Sequence, residues 1–218
     1  MYNLVMKDMK LAVHPLFILF PFVMGALMFI PSWLYFIVIM YFFWVSAPNL
    51  FAQYRTQNDL LFTAMLPVSK KDMVKARVSV IVILELLHIV TAMIYGLFRI
   101  LLFPNDTYYF FAPHMGFWGL CFVMLAIYNI ILIPMHYKTA YKYGMAQLVS
   151  ILAAMAFAGV AQWIQIQSPF VSDIFNGSGA NNTVLQISIL VVGIVIFMAC
   201  TMIAYRIAIK RFLKVELQ

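Results

Sequence analysis

These 218 residues predict an all-α, polytopic membrane protein with six transmembrane helices. Of them 66% are hydrophobic and 10% charged, against about 25% charged in ordinary soluble domains. Mean hydropathy is +0.98, and apolar stretches recur near the ~20 residues that cross a bilayer as a helix. A soluble domain of this size could not bury so much apolar surface. Disorder and a disulfide scaffold are excluded as well, because Cys121 and Cys200 are the only cysteines and both lie in apolar stretches. The chain reads as one transmembrane domain, 1–218.

The elements follow in order. In residues 1–14, MYNLVMKDMKLAVH, one helical face carries Tyr2, Val5, Met6, Met9 and Val13, and another carries Asn3, Lys7, Lys10 and His14. That pattern predicts an amphipathic interfacial helix along the inner leaflet. Spans fall near 15–31, 33–51, 78–103, 114–136, 145–166 and 185–208. The first is short and holds Pro15, Pro21 and Pro31, and only Pro31-Ser32 parts it from the second. The pair is a tight hairpin or a partial re-entry, and either returns the chain to its starting side. With no small-residue cleavage site, the first run does not read as a removable leader. The fifth span aligns Ser150, Ala154, Ala158 and Ala161, with Gly159 adjacent. Such a stripe permits close helix approach, to a second copy or within the chain. Outward loops are short, and 167–184 is the longest. Asn105, Asn176 and Asn181 each begin an N-x-S/T triplet, a match usually accidental in Asn- and Ser-rich loops.

Charge fixes the orientation. Thirteen of the 14 Lys+Arg flank the spans on one side, and only Arg99 lies toward the other. The positive-inside rule therefore predicts a multi-pass cell-membrane protein with both termini cytoplasmic. The net charge of +7 is largely a topology signal, so no nucleic-acid partner is called for.

Recognisable catalytic chemistry is missing from the sequence. There is no G-x-x-x-x-G-K-[ST] phosphate loop, no H-E-x-x-H, no G-x-S-x-G and no Cys/His cluster. His14, His88, His114 and His136 are scattered over different elements, and neither a metal nor a cofactor is expected in this chain. In the third span, Glu85, His88, Thr91, Tyr95 and Arg99 share a sector of roughly 120°. A charged group at mid-membrane costs ~2.5–3.5 kcal/mol on insertion scales, so the stripe faces protein or a wet cavity. It either lines a pathway, with Glu85 and His88 coupled, or orients the span through interhelical hydrogen bonds, with Arg99 reaching outward.

The cytoplasmic loop 52–77 carries the most information. Asn58 is placed to cap a short helix holding Leu60, Leu61, Phe62, Ala64, Met65 and Leu66, which ends before Pro67. Ser69 and Asp72 form a capping box for a second helix, carrying Lys70 and Lys71, that runs into the third span. The first helix is apolar and too short to span; it docks on a partner or folds back onto the membrane.

The basic N-terminal helix (KDMKL), six spans and the stretch N-D-L-L-x-x-x-L-P-V-S-K-K-D-x-V-x-A-R together resemble permeases of type-2 ATP-binding-cassette exporters. Compact size brings the chain closest to bacterial exporters of amphipathic peptides, of the phenol-soluble-modulin type. The resemblance implies a bacterial plasma-membrane location, a second permease, homodimeric or heterodimeric, and a separate cytoplasmic cassette ATPase that binds ATP and magnesium. It implies ATPase-coupling residues Asn58, Asp59, Leu60, Leu61, Phe62, Met65, Leu66, Pro67, Lys70 and Lys71: the helix over 58–66 docks into the ATPase cleft, and the segment 70–77 transmits its movement to the third span. Two other classes compete: the substrate-binding membrane component of a small-molecule importer, and a stand-alone membrane enzyme or immunity protein.

Overall fold

The computed structural model describes residues 2–104, 106–139, 143–177 and 180–215, with backbone alone described at 60, 61, 64, 139, 180 and 181. Every regular element among them is helical. Helix α1 (Tyr2–Ala12) stops at Val13-His14, where Pro15 opens α2 (Pro15–Gly25). Proline suits a first helical turn because its missing N–H has no partner there anyway. The His14 ring caps the turn by accepting the Leu16 N–H at 3.3 Å. A 3-10 turn, Ala26–Phe29, continues α2, and this limb is bent 75° from α1. At 1.5–2.0 Å per residue the limb rises roughly 24 Å, short of the ~30 Å hydrocarbon core. Ser32, at φ 52, then turns the chain back.

The second span is jointed. It comprises α3 (Phe36–Tyr41), a π turn (Phe42–Ser46) and α4 (Ala47–Thr56). In the π register each N–H bonds five residues back, as the Ala47 N–H does to the Phe42 carbonyl. The next bond would run from residue 48 to the Phe43 carbonyl, but Pro48 has no N–H. Gln147 of α8 fills that vacancy, donating from Nε2 to the Phe43 carbonyl at 2.8 Å. One turn earlier, the Phe42 N–H bonds to Ile39 rather than Val38. The ring Nε2 of His88 meets the freed Val38 carbonyl at 2.8 Å.

Asn58, at φ 48, makes the left-handed turn between α4 and α5 (Asp59–Ala64), a conformation asparagine tolerates. Helix α6 (Lys70–Leu102) is one unbroken rod, begun by Ser69, whose Oγ accepts the Asp72 N–H at 3.1 Å. Then come α7 (Met115–Thr139), α8 (Gly144–Gln167), the short α9 (Pro169–Asn176) and α10 (Ala180–Phe212). Five helical stretches among the described residues are long and apolar enough to cross a membrane. A sixth requires α1 and the α2 limb to form one broken span.

Helix α7 is the axis of the bundle. Its most apolar window is 72% buried, against 28% in α8 and 22% in α10. Its Phe117 and Tyr128 pack against Phe36, Phe42 and Phe43 of the second span, with Phe43 stacked on Tyr128 at 4.1 Å. Between α7 and α10 the backbones touch. A Cβ at Gly119 would meet the Ile189 carbonyl, and one at Gly193 would meet the Gly119 carbonyl. In lipid, such packing replaces the hydrophobic drive that water supplies. Ser150, Ala154 and Ala158 of the α8 stripe face inward. Gly159 opens outward, with nothing within 4 Å of its virtual Cβ.

Candidate functional site

Four helices meet at an ionic cluster at the end of the bundle where α6 begins. Asp59, the first residue of α5, is 2% exposed. One carboxylate oxygen accepts from Lys7 of α1 and, at 3.1 Å, from the Thr63 hydroxyl; the other accepts from Arg77 of α6. Lys7 also donates to the Thr63 hydroxyl at 2.7 Å and pairs with Asp8 at 2.9 Å. The Arg77 guanidinium lies 4.0 Å over the Tyr54 ring of α4. Burial pushes the Asp8 carboxyl above the usual aspartate range, against the pull of Lys7 and Arg77. Removing one partner from a buried ion pair is costly because the remaining charge is stranded. The cluster therefore fastens α5 to α1, α4 and α6 together.

The anticipated docking residues divide by this geometry. Phe62 is 54% and Met65 84% exposed; Leu66, Pro67, Asn58 and Lys71 are exposed too. Asp59 points inward. Lys70 is half-buried, donates to the Val215 carbonyl at 2.8 Å and lies over the Phe212 ring, so it holds the end of α10. The side chains of Leu60 and Leu61 lie outside the described residues. Sequence reasoning missed the cluster. Its signals were Asp59 and Thr63 at i, i+4 on one helical face, and Asp8, the one acid in an otherwise basic N-terminal helix.

The stripe on α6 faces other helices, but its members have separate partners. Glu85, 0% exposed, accepts from Asn129 Nδ2 of α7 at 2.8 Å, and the same amide reaches Thr201 of α10 at 3.3 Å. His88 bonds to Val38, not to Glu85. The Thr91 hydroxyl donates to its own helix at Leu87. The half-buried Tyr95 ring packs on Gly25 and edge-on to Phe29. Arg99 does not reach out to water. It is 2% exposed, ion-paired with Asp106, bonded to the Phe29 carbonyl at 3.1 Å and stacked on Phe103.

Asn176 pins the opposite end of the bundle. Its amide accepts the Ala112 N–H at 2.8 Å and donates to the Tyr108 and Phe110 carbonyls, each at 3.2 Å. Both the oxygen and the nitrogen of this amide are thereby engaged. Asn105 and the Asn181 side chain lie outside the described residues.

The described residues thus form a bundle of apolar helices long enough to cross a membrane, with the short α5 riveted to α6 at one end. The family model described as "ABC-2 family transporter protein" matches residues 3–212, and the chain belongs to that family. No curated protein and no solved structure matches the chain significantly. The protein is thus the membrane subunit of an ATP-binding-cassette transporter. Its family does not carry the ATPase site itself, and membership implies a cytoplasmic ATPase partner.

Proposed function

We propose that this subunit works in an exporter of amphipathic peptides, as one of a pair of permeases in a bacterial plasma membrane with both termini cytoplasmic. Helix α5 is its coupling helix. One observation carries that role: Phe62 on α5 and Met65 just past its end stand exposed, while Asp59 and Thr63 of the same helix are buried and Asp59 rivets it to the bundle. Apolar knobs on a rigid base suit docking into a partner cleft. A push on α5 passes through Asp59 to Arg77 and so to α6, while Lys7 carries it to α1. ATP and magnesium act in the partner.

The substrate class rests on a groove of about 470 Å³ between the second span and α8. Met40, Trp44, Met155 and Trp163 line it, with Gln162 a polar point among them. Flexible thioethers and aromatic faces accommodate variable apolar surfaces. Beside it Gly159 leaves room for a second copy to close the wall.

The test is Phe62→Asp combined with Met65→Asp. The purified double variant should melt like the wild type yet fail to co-purify with its ATPase. Normal co-purification would remove α5 from the coupling role. In inside-out vesicles with the ATPase, ATP should drive an amphipathic helical peptide into the lumen. Movement the opposite way would favour the importer reading.

A further inference from the structure

At the centre of α6 lies a carboxylate without a counter-ion. Glu85 is 0% exposed, and it takes part in none of the ion pairs among the described residues. Oε2 accepts from Asn129 Nδ2 at 2.8 Å, while Oε1 has no hydrogen-bond partner. Asn129 is itself 0% exposed, and its Oδ1 has no partner either. The Thr201 hydroxyl lies 3.3 Å from the same amide nitrogen, so polar groups of α6, α7 and α10 meet at this one amide.

The neighbouring polar groups supply no positive charge. From α7, the Tyr128 hydroxyl is engaged with Gln147 at 2.8 Å. On α6 itself, His88 bonds to the Val38 carbonyl through Nε2, and its Nδ1 is unpartnered. A bare carboxylate in a medium of low dielectric constant is not sustained; it takes up a cation or a proton. Carboxylate, amide carbonyl and hydroxyl are the hard oxygen donors that suit such an ion. Rotating the Asn129 amide by half a turn exchanges its oxygen and nitrogen with little change of shape.

We propose that Glu85, Asn129 and Thr201 form a mid-membrane binding site for an exchangeable monovalent cation, either a proton or sodium. The cation ties the centres of α6, α7 and α10 together by neutralising the one carboxylate between them. When sodium is the occupant, it displaces the carboxyl proton, which leaves to water. The site is independent of what the transporter carries.

The chain contains only two glutamates, Glu85 and Glu216, so Glu85 can be observed without altering it. A Glu216→Gln chain made by cell-free synthesis with carboxyl-13C glutamate carries one labelled carboxyl group. Infrared spectra are taken in lipid nanodiscs at neutral pH, first in choline buffer and then with sodium added. The expected band in choline is that of a protonated carboxyl. If sodium converts it to the carboxylate band and releases a proton, the site takes sodium. If sodium leaves it unchanged, the occupant is the proton. A carboxylate band already present in choline buffer overturns the proposal, because the group then stands ionised with no cation supplied. Asn129→Leu must shift the band, since that amide is the carboxyl's hydrogen-bond partner, and an unmoved band also overturns the site.

Discussion

Asp59→Asn tests the rivet directly. The carboxamide keeps the size of the side chain but removes the charge that faces Lys7 and Arg77. Stranding a fully buried partner costs ~3–5 kcal/mol. Two features lower the figure. The Lys7 side chain is 17% exposed and relaxes toward water, and Arg77 keeps the Tyr54 ring 4.0 Å away, a contact of ~1 kcal/mol. A loss of about 2–3 kcal/mol in the docking of α5 is expected. At about 1.4 kcal/mol per decade this means roughly 30- to 150-fold more frequent opening. Amide hydrogen exchange across residues 59–66, in detergent or nanodiscs, reads that factor directly. Lys7→Met should cost less, about 1 kcal/mol or below, because Lys7 is the more exposed partner. If Asp59→Asn leaves exchange in α5 within threefold of the wild type, Asp59 does not fasten the helix and the transmission path fails with it.

Three further outcomes follow from the packing. Gly193→Ala should destabilise by ~1–3 kcal/mol in reversible SDS unfolding, because its Cβ would strike the Gly119 carbonyl, which is rigid backbone; Gly159→Ala, with open space around it, should be neutral. Asn176→Ala leaves the Ala112 N–H and two carbonyls without this partner, so proteolysis in the 103–114 loop should accelerate about tenfold or more. Asp8 has a carboxyl raised by burial. Its protonated form is the one favoured by the fold, so its contribution is full at acid pH and is lost as pH rises through the raised value. Asp8→Asn should therefore match the wild type near pH 4 and melt higher at pH 7, as scanning fluorimetry would show.

The spans were legible because length and hydropathy are summed over about 20 residues, and local errors average out. The Ser69–Asp72 capping box was legible because three-residue spacing brings the hydroxyl to the N–H it caps. The ionic cluster was not. Lys7 and Asp59 are 52 positions apart, and nothing local in either segment points to the other. Only the folded chain shows that α5 turns Asp59 inward and Phe62 outward. The stripe on α6 was recognised as a protein-facing surface, but its partners were not. Asn129 and Thr201 are single polar residues inside strongly apolar spans, and nothing local ties either to Glu85. Arg99 was harder still, since its burial depends on Asp106 folding back over it.

The joint in the second span links two distant positions in the chain's heredity. Gln147 is useful at its site because Pro48 leaves the Phe43 carbonyl unmet. If Pro48 were lost, the backbone would supply its own bond and the glutamine would become a competitor. If Gln147 were lost, a carbonyl would stand bare in the bundle. Neither change is tolerable alone as readily as both together, so descendants of this chain should gain or lose the proline and the glutamine as a pair.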